Sequence, residues 1–210
     1  MKKKLYSIFA FLLLGFGISL QVKAGIGQSM FNALCLLLAD LCNLEIGIVL
    51  NLLNLLFFLI YLIFRNANVR KRDFIQIAMT LLNGYMINFY LYFLLHHVTF
   101  PFYLHRVLLF FIGLILASFS LGAILAMEII QFPLESLCLL LVRKTGHSLS
   151  SIRLKFDCFF LLSTLLLTLI FNRNLYIREG TILSFLLLSK LIGYSYSFHK
   201  KLVYKKSLIS

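Results

Sequence analysis

Gln28-Ser29-Met30-Phe31-Asn32-Ala33-Leu34-Cys35-Leu36-Leu37-Leu38 lies over Gln131-Phe132-Pro133-Leu134-Glu135-Ser136-Leu137-Cys138-Leu139-Leu140-Leu141 without a gap. Each stretch belongs to an apolar run of about twelve residues, Gln28 to Ala39 and Gln131 to Val142, too short for a helix that must cross a hydrocarbon core roughly 30 Å thick. A run of that length suits a half-helix that is re-entrant or lies at the interface. Two of them in the same register predict an internal duplication.

Outward from these stretches the chain is dominated by longer apolar runs. Of its 210 residues 61% are hydrophobic and 13% charged, with a mean hydropathy of +0.98, beyond the apolar share of a soluble domain. The runs from Leu5 to Leu20, Ile46 to Phe64, Phe74 to Leu95, Val107 to Met127, Ile152 to Phe171 and Thr181 to Phe198 each approach the length of a spanning helix. The expected fold class is therefore an all-α polytopic membrane protein of about six spans. It is organised as two three-span repeats, residues 1–98 with half-helix 28–39 and residues 105–198 with half-helix 131–142, followed by a basic tail, 199–210. Lys2-Lys3-Lys4 before the first run, with Val22-Lys23-Ala24 after it, also has the outline of a signal peptide. A similar segment opens the second half, where no signal could stand, and favours a retained span.

The net charge of +13 comes from short clusters between the runs and not from a basic face interleaved with aromatics, so nucleic acid is not an expected partner. If each half-helix returns to the side it left, one side of the membrane receives Lys2, Lys3, Lys4, Arg65, Arg70, Lys71, Arg72, Arg143, Lys144, Arg153, Lys155, Lys200, Lys201, Lys205 and Lys206. The other receives Lys23, Arg106, Arg173 and Arg178, and Lys190 falls inside a span. Basic loops stay cytoplasmic, which places both termini in the cytoplasm of a multi-pass cell-membrane protein. Were the short runs full crossings, the Arg65 to Arg72 cluster would lie outside. With three spans per half, the second half enters upside down, related to the first by a pseudo-twofold axis in the membrane plane.

The stretches Gly15-Phe16-Gly17-Ile18, Val22-Lys23-Ala24-Gly25-Ile26-Gly27, Thr145-Gly146-His147-Ser148 with Arg153 and Asp157, and Gly180-Thr181-Ile182-Leu183 resemble the YczE and YitT-like bacterial membrane proteins. The resemblance runs from about Phe11 to Phe198 and implies duplicated hydrophobic halves more than it implies an activity. That group carries a Gly-x-Gly turn, a proline and an acidic residue before each short helix. Here the first copy has Met30 and Asn32 in place of the last two, and the second has Pro133 and Glu135 without the Gly-x-Gly.

Inverted halves with interrupted helices are an architecture of secondary transporters, because two halves can rock about a midplane site. The candidate substrate-binding residues are Asn32 and Glu135, equivalent in the two half-helices, and Lys190, a mid-span cation whose partner could be Glu135. Asn51 and Asn54 share one face of the second span and could line a path with Asn83 and Asn88, although interhelical hydrogen bonding accounts for such residues equally well. Arg153 and Asp157, four apart, read as an intrahelical pair. Ser148 or Ser150 reads as a helix cap, Gly146 as the turn before it, and Glu128 as a solvated span end. His147 and His199 read as loop and tail residues. His96, His97 and His105 gather near one outer loop without a metal-ligand spacing, and Cys35, Cys42, Cys138 and Cys158 read as packing residues. No catalytic motif, metal site or cofactor site is present in the sequence, so no enzyme is expected. Two functions remain: a permease for a small solute, or a non-transport factor that serves as partner or assembly subunit for another membrane or biosynthetic system. The lipid bilayer is a partner in both, and a second membrane protein or a homodimer suits the small-residue stretch Gly113, Ser118, Ser120 and Gly122.

Overall fold

The computed structural model describes residues 2–66, 70–127, 132–174 and 176–207. Glu128 and Gln131, two of the residues read above, lie outside them. The described chain folds into helices: α1 (Lys2–Ala24), α2 (Met30–Cys42), α3 (Ile46–Phe64), α4 (Lys71–Asn88) running on through a π-helical turn (Phe89–Leu94), α5 (Tyr103–Met127), α6 (Pro133–Thr145), α7 (Leu149–Phe171) and α8 (Glu179–Ser207). Six of them are long and apolar enough to cross a membrane. Large side chains such as Leu162, Leu166, Leu169 and Ile170 stand exposed along α7, a surface that lipid and not water covers. The protein is a multi-pass integral membrane protein.

Both short helices are 13 residues long and stop on a residue in the left-handed conformation, Asn43 (φ 53°) and Gly146 (φ 71°). That geometry lets the cap N–H bond back to Ala39 and Val142 and satisfies carbonyls that the helix end would leave free. It also carries the half-helices about three residues past the limits read from the apolar runs. Ser148 caps α7 by accepting from the Ser151 amide at 3.2 Å, and Ser29 caps α2 in the same way through Asn32.

α1 and α5 form the centre. α1 packs along α5 and α4, α5 also along α8, α2 against α3 and α7, and α6 against α3 and α7. A Cβ on Gly17 would come 2.8 Å from the Ala117 nitrogen, and one on Gly113 2.7 Å from the Gly17 carbonyl, so the α1 and α5 backbones touch. In a membrane, where apolar surface gains little by leaving lipid, such close backbone packing holds helices together. α1 thus lies at the centre of the bundle.

Contacts between helix ends define two ends of the bundle. At one, Tyr6 at the start of α1 meets His199 of α8 at 3.0 Å, Ser7 meets Met127 at the end of α5, and Lys144 donates to the Phe64 carbonyl at 2.7 Å. There Arg65 forks onto Asp73 and donates to the Tyr61 hydroxyl, closing the turn from α3 to α4. The Asp73 carboxylate, and then Tyr61, hold the Arg65 guanidinium above its usual pKa. At the other end, Lys23 donates to the His96 carbonyl, Arg178 to the Gly25 carbonyl at 2.6 Å, and Arg173 stands 3.9 Å from Asp40. Each short helix therefore leaves and rejoins the same end.

His199 departs from its reading as a tail residue. α8 continues unbroken past Phe198, and the His199 ring is buried among Phe119, Phe198 and Tyr6. Its Nδ1 lies 2.8 Å from the Ser195 carbonyl, which can only accept. Nδ1 therefore donates to that carbonyl, and Nε2 is left to pair with the Tyr6 hydroxyl.

The glycine contact sets the first expectation. Gly113→Leu drives a side chain into the α1 backbone and is expected to cost about 1–3 kcal/mol or more of overpacking. Gly193→Ala, at a position with no atom within 4 Å of the added Cβ, should be neutral or stabilising by up to about 1 kcal/mol. Thermal unfolding of the two variants in detergent compares them directly.

Candidate solute site at the centre of the bundle

The break between α1 and α2 is built from Gly25-Ile26-Gly27, with both glycines at positive φ (68° and 128°). Glycine adopts both values at no steric cost. The turn tucks Ile26 into the core, and its backbone is satisfied by α8: the Gly180 amide donates to the Ile26 carbonyl at 2.8 Å, and the Gln28 amide to the Thr181 hydroxyl at 3.3 Å. Two of the stretches that carried the family resemblance, Val22 to Gly27 and Gly180 to Leu183, thus form one joint. It aims the N-terminus of α2 at the middle of the protein, and Phe132-Pro133 brings the N-terminus of α6 to the same place, with proline at the first position of the helix where its missing N–H costs nothing.

Between those two N-termini lies a cavity of about 80 Å³, room for several water molecules. Its polar lining is Gln21 from α1, Asn32 from α2, Asn54 from α3, Asn83 from α4, Glu135 from α6 and Arg153 from α7. Ser29 adds a hydroxyl at the head of α2, and α5 and α8 complete the wall with the apolar side chains of Ala117, Leu121 and Leu188. Gln21 (2% exposed), Asn32, Asn54, Asn83 and Glu135 (8%) are otherwise buried. The structure therefore brings together Asn32, Asn54 and Glu135 of the residues singled out in the sequence, with Asn83.

Three others lie elsewhere. Asn51 donates to the Leu81 carbonyl at 3.2 Å, and Asn88 accepts from the Gly47 amide at 2.8 Å, so both tie α3 to α4 at a seam where Gly47 and Gly84 bring the backbones together. They are interhelical hydrogen bonds of the kind membrane helices use for packing. Lys190 stands on the exposed stripe of α8 between Leu186 and Tyr194 and lines no cavity with Glu135. On that face a lysine stem lies along apolar neighbours while the ammonium reaches toward the interface.

The partner of Glu135 is Arg153, whose Nη1 donates to Glu135 Oε1 at 2.6 Å. Arg153 Nε is also 4.0 Å from Asp157 Oδ1. The Arg153 side chain is 11% exposed, and besides its pairing along α7 it joins α6 to α7. Spacing along one helix exposed the Arg153–Asp157 pair. The Glu135 contact needed the turn at Gly146 to fold α6 back on α7. The signal in the sequence was an acid inside an apolar half-helix, which requires a cation nearby.

The remaining residues of interest carry no converging chemistry. His96 and His97 pack edge to face with ring centroids 4.7 Å apart, and His105 lies against Phe102. Among the described residues no group of three or more His, Cys, Asp and Glu is placed to hold a metal ion. All four cysteines are free, Cys35 and Cys138 buried and Cys42 and Cys158 exposed.

Six membrane-length helices around a buried polar cavity define a polytopic membrane protein. The chain belongs to the family described as "Family of unknown function (DUF6198)", whose model matches residues 1–197. No curated protein and no solved structure matches the chain.

The ion pair yields the second expectation. Arg153→Leu leaves a buried carboxylate without its cation and should cost about 3–5 kcal/mol, whereas Glu135→Leu with Arg153→Leu should recover much of that loss. A double-mutant cycle on unfolding in detergent measures the difference.

Proposed function

We propose that this protein is a permease, a secondary transporter of a small polar solute, and carries out no chemistry on it. The observation that carries this reading is the central cavity, where the N-termini of two short helices meet a polar lining drawn from six elements. Interrupted helices around a midplane site are how inverted-repeat transporters present backbone and side-chain groups to a solute. A dry, apolar centre would instead have favoured the assembly-partner reading.

Supporting the inverted duplication, helix boundaries recur 103 positions apart: Ala24 and Met127 end α1 and α5, Met30 and Pro133 begin α2 and α6, Cys42 and Thr145 end them, and Ile46 and Leu149 begin α3 and α7. The packing is reciprocal as well, since α2 lies on α7 as α6 lies on α3. At the same spacing Asn32 corresponds to Glu135 and Asn54 to Asp157, so a polar first copy faces a charged second copy. A duplicated pattern of this kind is what the likeness to the YczE and YitT-like proteins implies. The end of the bundle holding Arg65, Lys144 and the C-terminal part of α8 gathers most of the basic clusters and is assigned to the cytoplasm of a cell membrane, with both termini there.

Cysteine accessibility in intact cells tests the reading. With the native cysteines replaced, Asn32→Cys and Asn83→Cys should react with small permeant thiol reagents. Lys190→Cys, on the lipid-facing stripe, should react far more slowly. If both cavity positions stay inert while a loop control at His147 reacts, the centre is dry and the transport reading falls.

A further inference from the structure

With both acids ionised, the charges beside the cavity do not balance. One cation, Arg153, faces two carboxylates, Glu135 at 2.6 Å and Asp157 at 4.0 Å, and Asp157 is 3% exposed. Among the described residues no other basic side chain forms an ion pair with either acid. Glu135 is the third residue of α6, so the positive end of that helix acts on it. That interaction is worth about 2 kcal/mol at most, against several kcal/mol for each ion held out of water. The helix end reduces the surplus negative charge and does not cancel it.

The cavity wall also holds unpaired acceptors, beside one unpaired donor, Arg153 Nε. The amide oxygens of Gln21 and Asn83 are buried without a hydrogen-bond partner, and both residues line the cavity and are more than nine-tenths buried. Only Oε1 of Glu135 is bonded to Arg153, which leaves Oε2 for the cavity. Asn54 commits its amide nitrogen to the Leu50 carbonyl at 2.8 Å, so its oxygen is the free end. A buried acceptor without a donor costs about 1–3 kcal/mol, and several converge here around water-sized space. Carbonyl and carboxylate oxygens suit hard cations, and one unit of surplus charge matches a monovalent ion, where a divalent ion would overshoot.

We propose that the central cavity binds one small monovalent cation, an alkali ion or ammonium, held by the side-chain oxygens of Gln21 and Asn83 and the free oxygen of Glu135, with Asp157 supplying the balancing charge. As a coupling ion this site rests on the transport reading; as a binding site it is tested apart from it.

The test uses the purified full chain in detergent with Cys42→Ser and Cys158→Ser, so that a thiol-reactive dye reports exposure of the buried Cys35 and Cys138 on heating. Melting is followed in sodium, potassium, ammonium and N-methylglucamine chloride at equal ionic strength. The expected result is a saturable rise in Tm with at least one of the three small cations and none with N-methylglucamine; which of them acts separates an alkali ion from ammonium. Gln21→Leu, Asn83→Leu and Asp157→Asn should each raise the half-saturating concentration about tenfold or more, equivalent to about 1.4 kcal/mol. Asn83→Asp adds a carboxylate and should shift the response toward calcium or magnesium, which keeps the test decisive if a leucine variant does not fold. Equal melting in all four salts overturns the proposal, as does a wild-type salt response retained by every variant, or a response to pH alone, which would assign the surplus charge to a proton. A cation response in a protein whose cavity resists thiol reagents would retire transport and leave the site. Reagent entry without a cation response would do the reverse.

Discussion

Backbone that is neither helix nor strand can lie inside a membrane protein only if other protein groups satisfy its amides and carbonyls. In this molecule that constraint is met at Gly25-Ile26-Gly27, where the N-terminus of α8 supplies the Gly180 amide and the Thr181 hydroxyl. Because the turn is satisfied, α1 can stop and α2 can restart inside the bundle. Because α2 restarts there, Asn32 reaches the centre instead of a surface. The second break reaches the same outcome by different means, with Pro133 opening α6 and Ser148 and Gly146 managing its exit. One break is thus made with paired glycines and the other with a proline.

The centre that these breaks create is polar by necessity as much as by composition. Glu135 sits early in α6 and is tolerable there because Arg153 answers it across the α6–α7 turn. Removing water from such a pair yields little net stability, so the pair is better understood as a specific cross-link that orients α6 than as a source of folding energy. The same pair lines a second cavity, with Ser150, Tyr196 and Ser197, toward the end of the bundle that holds the C-terminal part of α8. It therefore stands between the central cavity and that end.

α1 and α5 supply the rigid axis around which this is arranged. Gly17, Gly113 and Ala117 bring their backbones into contact, and Gly122 lets α8 approach α5 so closely that a Cβ there would meet Ser195. The small residues seen on α5 thus serve packing within the chain. Gly113, Ser118, Ser120 and Gly122 all face the chain's own helices.

The sequence by itself determined the solvent, the number of spans and the two short helices, because each follows from run length, hydropathy and charge position, which are local properties. It also determined that Asn32, Asn54 and Glu135 were unusual, since polar groups in apolar helices need a reason wherever they lie. Only the tertiary structure decided which of them meet. Asn51 and Asn54 are three residues apart on one helix, yet one bonds to Leu81 in a seam and the other lines the cavity. Lys190 has the charge to answer Glu135 but projects from the wrong side of α8, while Arg153, read as a partner of Asp157, reaches it instead. The physical reason is that a helix face is set within about 100° per residue by sequence spacing, whereas the neighbour that face meets is set by how the turns at Gly25-Ile26-Gly27 and Gly146 fold the chain back on itself.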